Sequence, residues 1–186
     1  MTIRFLVTAL STVHMLTSDS LPGFETSCQM KPGTAYYSCT TSFNMTYQDG
    51  WAIFGKYGRA YKAFRNEQPW KEAEKLCNKE GAHLASITSA EENAFVRDVI
   101  RTSFGITKFY GPTSQSWIGG RREGGSWKWT DGSRWSYTSW DSGEPVNKGG
   151  KEDCLQIRTD PPYNESWNVY PCNKIVRYFV CEKCFF

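Results

Sequence analysis

The 186-residue sequence predicts an α+β domain in which two helices pack on short antiparallel sheets, with a long loop region and disulfide staples. Three observations carry this. Seven cysteines follow an apolar start, a usage found in exported, loop-rich folds. Two segments of helical period lie before residue 101, and after residue 116 the chain breaks into short apolar runs punctuated by Gly, Pro and Asp. Helices followed by runs of strands segregate into an α+β arrangement.

The elements follow in order. Arg4, the mostly apolar run Phe5 to Leu16 and then Ser18-Asp19-Ser20 have the pattern of a signal peptide over residues 1–20. That run is shorter than the ~20 apolar residues a membrane-spanning helix needs, and no longer one follows. The expectation is therefore a secreted, extracellular chain without a membrane span. Residues 21–50, rich in Ser, Thr, Tyr and Gly, read as a preamble with its own cysteines, Cys28 and Cys39. A domain is expected over 51–184. Trp51–Phe54 and the alternating Arg59–Phe64 read as strands. Pro69 suits the first turn of a helix whose apolar face is Trp70, Ala73, Leu76 and Cys77, with Gly81 closing it. Thr88 with Glu91 fits a capping box ahead of the stripe Phe95, Val96, Val99 and Ile100. Residues 101–116 read as a loop. Trp117-Ile118, Trp127–Thr130, Leu155–Arg158 and Tyr178–Cys181 read as strands, with a turn at Asp131-Gly132.

A formal net charge of +3, with acids and bases interspersed, leaves no footprint for a nucleic-acid partner. Enzyme chemistry has little to stand on either. Beyond the leader the one histidine is His83, so a histidine-based triad or metal site has no second member. Cys181-Glu182-Lys183-Cys184 has a redox spacing but no βαβ pattern around it. Asn44-Met45-Thr46 and Asn164-Glu165-Ser166 are N-glycosylation acceptors.

The run Trp70-x-x-Ala73-x-x-x-Cys77, Gly81-Ala82-His83-Leu84-Ala85-Ser86-Ile87, Trp117-Ile118-Gly119, Trp127-Lys128-Trp129-Thr130-Asp131-Gly132, Trp140, Glu144-Pro145, Glu152-Asp153-Cys154, Trp167-Asn168, Cys172 and Phe179-Val180-Cys181-Glu182 resembles the C-type lectin-like domain family, in the family's order. The resemblance covers about residues 51 to 182. It implies a ligand-binding module, bridges Cys77–Cys181 and Cys154–Cys172, a cis peptide before Pro145, and core roles for Trp127, Trp129 and Trp140. It also gives His83 a packing role between helix and strand. Cys28 and Cys39 most simply pair with each other. Cys184 is then odd, as an intermolecular bridge to a dimer, a free thiol or part of a rearranged pairing.

In sugar-binding members of this family, calcium and sugar share one set of side chains. The resemblance carries those roles onto Glu144, Glu152 and Asn168, with Asn147 and Asp153 as weaker metal candidates and Glu123 beside them. Two positions depart from the pattern: Val146 stands where an amide ligand is wanted, and Val169 where a carboxylate is. Three side chains fall short of the 6–8 oxygens calcium takes. Two readings stay open. In one, a weak calcium site serves a glycan or glycoprotein ligand. In the other, Glu144 and Glu152 are loop carboxylates, solvated or paired with Lys148 and Lys151. The ligand, a protein, lipid or glycan, is then bound without calcium through aromatics such as Trp135, Tyr137, Tyr163 and Tyr170, for which the alternative is a place in the core.

Overall fold

Residues 45–106, 114–160 and 165–185, and the backbone of four strands between residues 5 and 43, are described by the computed structural model. The four strands are β1 (Phe5–Val7), β2 (Thr12–Met15), β3 (Phe24–Met30) and β4 (Tyr37–Phe43), antiparallel in the order β1-β2-β3-β4. Their register sets Cys28 opposite Cys39. Both glycosylation acceptors, Asn44 and Asn164, and Tyr163 lie outside the described residues.

The second sheet begins at β5 (Thr46–Gln48), which pairs with β6 (Trp51–Phe54), ahead of Trp51. β7 (Arg59–Gln68) runs four residues past Phe64 because its exposed end still pairs with the last strand. Helix α1 (Trp70–Lys79) buries Trp70, Ala73 and Cys77, the face its three- and four-residue spacing predicts. Pro69 is its N-cap rather than its first helical residue, and Gly81, at φ +68°, follows the C-terminus.

After β8 (His83–Leu84) comes α2 (Ala90–Phe104), which extends into the expected loop and stops at Gly105, φ +62°. Its capping box is displaced by one residue from Thr88 and Glu91. Ser89 Oγ accepts the Glu92 N–H at 3.1 Å, and the Glu92 carboxylate accepts the Thr88 N–H at 2.5 Å. Both pairs fit the motif; the inward-turned Glu92 decides, since Glu91 is exposed.

The remaining strands are β9 (Gln115–Glu123), β10 (Ser126–Trp129), β11 (Cys154–Arg158), β12 (Ser166–Tyr170) and β13 (Val176–Cys184). The sheet runs β12-β11-β9-β13-β7-β6-β5, with β10 on β9 and β8 on β13. The β13–β9 contact is parallel and the other pairs are antiparallel. One core, with Phe95, Val96, Val99 and Ile100 of α2, packs on Ile118, Leu155, Ile157, Trp167 and Val169. A second, with Trp70, Ala73 and Cys77 of α1, packs on Trp117, Cys154, Phe179 and Cys181. Gly119 sits where the backbones close up: a Cβ there would stand 2.4 Å from the Leu84 carbonyl oxygen. Cys77 is bonded to Cys181 and Cys154 to Cys172, the pairings the resemblance implies, and among the described residues Cys184 is the free cysteine.

Candidate functional site

The long loop between β10 and β11 is tied down at β12. Trp167 N–H donates to Ser139 O at 2.6 Å, Asp141 N–H to Trp167 O at 2.8 Å, and Arg158 Nη1 to Asp141 Oδ2 at 2.8 Å. This anchoring brings Glu144, in a cis Glu144-Pro145 peptide, over the end of β12. There Glu144 Oε2 accepts the N–H of Val146 at 2.8 Å and lies 3.5 Å from the N–H of Val169. Its described partners are thus backbone amides, and the carboxylate remains half-exposed to solvent. Asn147 Oδ1 accepts the Glu152 N–H at 3.0 Å, and Asn147 Nδ2 reaches Asp153 Oδ1 at 3.5 Å. Asn168 Oδ1 is buried without a hydrogen-bond partner.

Calcium meets a poor donor set here. The Glu144 carboxylate is engaged by amides and Asn147 by the loop. Val146 is 37% exposed, while Val169 is 3% exposed and packs into the core. Among the described residues no three His, Cys, Asp or Glu side chains are grouped to hold a metal ion. The weaker candidates are matched by cations: Asp153 lies 3.8 Å from Arg122, and Glu123 lies 3.9 Å from Arg121 and 3.8 Å from Lys128. The residues present do not fit a tight calcium site.

Aromatic side chains back the loop rather than front it. Trp129 is buried. Trp127, Trp135, Tyr137 and Trp140 are half-buried against the same core, so Trp127 and Trp140 are less enclosed than a full core role implies, and Trp135 and Tyr137 fall between the surface and core alternatives. Trp129 and Trp135 stack at 4.5 Å and Trp167 meets both edge-on. Tyr170 packs with Trp117 at 6.0 Å. His83 is exposed rather than packed inside, its Nδ1 2.6 Å from Glu74 Oε1, and it joins α1 to β8 through that contact.

One constellation escaped the sequence. Arg59 Nη1 donates to Ser86 Oγ at 2.9 Å and to Glu182 Oε2 at 3.0 Å, and lies 3.4 Å from Glu92 Oε1. Ser86 Oγ also lies 2.7 Å from Glu182 Oε1 and 2.9 Å from Asp131 Oδ2. Tyr61 donates to Glu92 from the core. Burial, and then the hydrogen bond with Asp131, push the Glu182 carboxyl up to about 8, so at neutral pH it carries the proton of the pair. Burial acts against the charged form of Asp131 too, but hydrogen bonds from Glu182, Ser133 and Ser86 hold it below the ordinary carboxylate range. Burial likewise raises the Tyr61 phenol, with Glu182 and Glu92 adding to it. The cluster floors a cavity of about 490 Å³ lined also by His83, Lys183 and Cys184. Its residues come from β7, β13, α2 and two turns, and Arg59 and Glu182 lie 123 residues apart, a separation no local motif spans.

Two helices on a disulfide-stapled sheet, with a long loop held at β12, form the frame that carries the candidate residues. Residues 66–183 match the Lectin C-type domain model. The chain is 36% identical over 138 residues to a lectin of Pleurodeles waltl, covering 72% of this chain and 73% of that one. It is also 36% identical over 143 residues to mouse C-type lectin domain family 4 member F, covering 72% of this chain but 22% of the mouse protein's length. A calcium-independent type II antifreeze protein superposes with a TM-score of 0.60 at 27% identity, covering 75% of this chain and 95% of that one. The chain belongs to the C-type lectin domain family. No helix among the described residues is long and apolar enough to cross a membrane.

Proposed function

We propose that the protein is a secreted lectin-like recognition module that binds a glycan or glycoprotein without a tightly held calcium ion. The supporting observation is the Glu144 carboxylate turned onto the amides of Val146 and Val169, with valine at both positions where the family pattern wants an oxygen donor. Family membership supports the ligand class, and a calcium-independent protein of the same fold supports the mode. Residues 1–20, which carry β1 and β2, are removed as a signal peptide to leave the β3–β4 pair, Cys28 pairs with Cys39 across it, and the exposed Cys184 thiol is available to a second copy. Binding to an array of glycans, measured in calcium and again in chelator, tests the reading. Binding that survives chelation supports it. Binding abolished by chelator returns the protein to calcium-dependent lectins, and a blank array together with capture of a protein ligand replaces the glycan with that ligand.

A further inference from the structure

Basic residues converge at one corner of the fold. Arg121 on β9 stands directly opposite Lys128 on β10. Like charges so placed destabilise an antiparallel pair, and both side chains are well exposed, at 47% and 63%. Among the described residues Glu123 is the acid that approaches them, no closer than 3.8 Å. Arg121 is also in register with Cys154, and its guanidinium lies 5.7 Å from the centre of the Trp70 ring. Cys154 is bonded to Cys172, whose carbonyl accepts the Trp70 N–H at 3.1 Å.

This covalent knot draws three more exposed lysines to the same corner. Lys71 follows Trp70, Lys174 closes a turn on Pro171 O at 3.0 Å, and Lys151 lies just ahead of Cys154. None of the three is in an ion pair with another described residue. Helix α1 starts here too and adds the positive end of its dipole. Of the acids beside them, Glu72 is taken by Lys75 and Asp153 lies 3.8 Å from Arg122, so the exposed cations outnumber the acids left to them, an excess that costs stability and suits an anionic ligand. Of the nearby large aromatics Trp70 and Trp117 are buried and Tyr170, in register with Cys154, is half-buried and packed on Trp117, so the corner offers nucleobases little open ring face.

We propose that Lys71, Arg121, Lys128, Lys151 and Lys174 form a calcium-independent binding site for a sulfated linear glycan. The proposal rests on the lectin-like reading above and gives it a ligand class. Point charges spaced around the Cys154–Cys172 bridge suit successive sulfates, and the Arg121 fork suits one of them in a two-point contact.

The test uses the intact protein, heparin as probe, and chelator throughout, with affinity followed across salt concentrations. The corner variant combines Arg121→Gln, Lys128→Gln and Lys174→Gln. A control removes equal charge elsewhere with Arg65→Gln, Lys79→Gln and Arg134→Gln, and near-UV circular dichroism verifies that both are folded. The corner variant is expected to bind at least about tenfold more weakly with a shallower salt dependence, the control within about twofold of the parent. Equal loss in both variants overturns the site, as does equal affinity of the parent for DNA or anionic phospholipid vesicles. Absent heparin binding with neutral glycans still bound overturns this corner and leaves the lectin-like reading standing.

Discussion

Glu144 spends one oxygen, Oε2, on two backbone amides, and the identity of its neighbours decides whether the remaining oxygen suffices to hold a cation. With Val146 and Val169 beside it, no second carboxylate offsets the cost of stripping water from calcium, so the amides win. Val146→Asn with Val169→Asp should reverse the balance. The expected result has two parts, because Val169 is 3% exposed. In chelator the double variant melts below the parent, having buried an uncompensated carboxylate; calcium restores the melting temperature and gives a calorimetric binding isotherm the parent lacks. A tight isotherm from the parent would refute the degenerate site. Glu182 sets a second residue-scale expectation. Its folded value of about 8 lies above its ordinary 4.5, so between those values the folded state holds a proton that the unfolded chain has lost. Stability from this group is complete below about pH 4.5 and falls, by a few kcal/mol, as pH rises toward 8. Asp131, held low, acts in the opposite sense only in acid. Denaturant titrations at pH 5, 6.5 and 8 should show the decline, and Glu182→Gln should flatten it; an unchanged slope in that variant would assign the decline elsewhere.

Elements were legible where their signal is local. The face of α1 stands in the sequence as Trp70, Ala73 and Cys77 at helical spacing, and β11 and β13 as short apolar runs. The cap of α2 was displaced because Thr88 and Ser89 each precede a glutamate by three residues, and only tertiary packing, with Tyr61 bonded to Glu92, selects the second. Ser89→Ala should therefore cost about 1 kcal/mol in urea unfolding, and Thr88→Val less, since it removes the Thr88 Oγ1 bond to Glu92 at 2.8 Å but keeps the backbone N–H that closes the box. Equal losses would restore Thr88 as the cap. The loop was half legible: motif positions singled out Glu144, Glu152 and Asn168 as candidates, but not that Glu144 would turn onto amides, because a hydrogen bond to a backbone N–H leaves no trace in residue identity. The Arg59–Glu182 cluster and the basic corner were illegible for a different reason. Each is assembled by the sheet order and the disulfides from segments far apart in sequence, and each member alone reads as an ordinary surface charge.

At the scale of the molecule, the proposed function makes covalent closure rather than metal the hold on the loops. The Cys77–Cys181 bridge spans 104 residues and Cys154–Cys172 spans 18. In the chain-entropy account, loops of about these sizes stabilise by roughly 4.7 and 3 kcal/mol, comparable with the roughly 5–15 kcal/mol total of an ordinary domain. The two bridges also lie inside the core that carries α1, where Cys77, Cys154 and Cys181 are fully buried, so their reduction replaces packed sulfur with thiols that need not stay together. Calcium has no comparable hold, since its would-be donors are bonded to the loop itself. Heating the protein with reductant should therefore lower the melting temperature by roughly 15 °C or more, while chelator alone should move it by less than about 2 °C. Cys184 gives the internal control: alkylation of the folded, unreduced monomer should label one cysteine, whereas denaturation with reduction should label all seven. If chelator rather than reductant loosened the domain, the metal would be the staple and the Glu144 geometry would have to be a secondary state. If both failed, the packing of Trp129, Trp135 and Trp167 behind the loop would be the dominant hold, and Trp135→Ala would then lower the melting temperature more than reduction does.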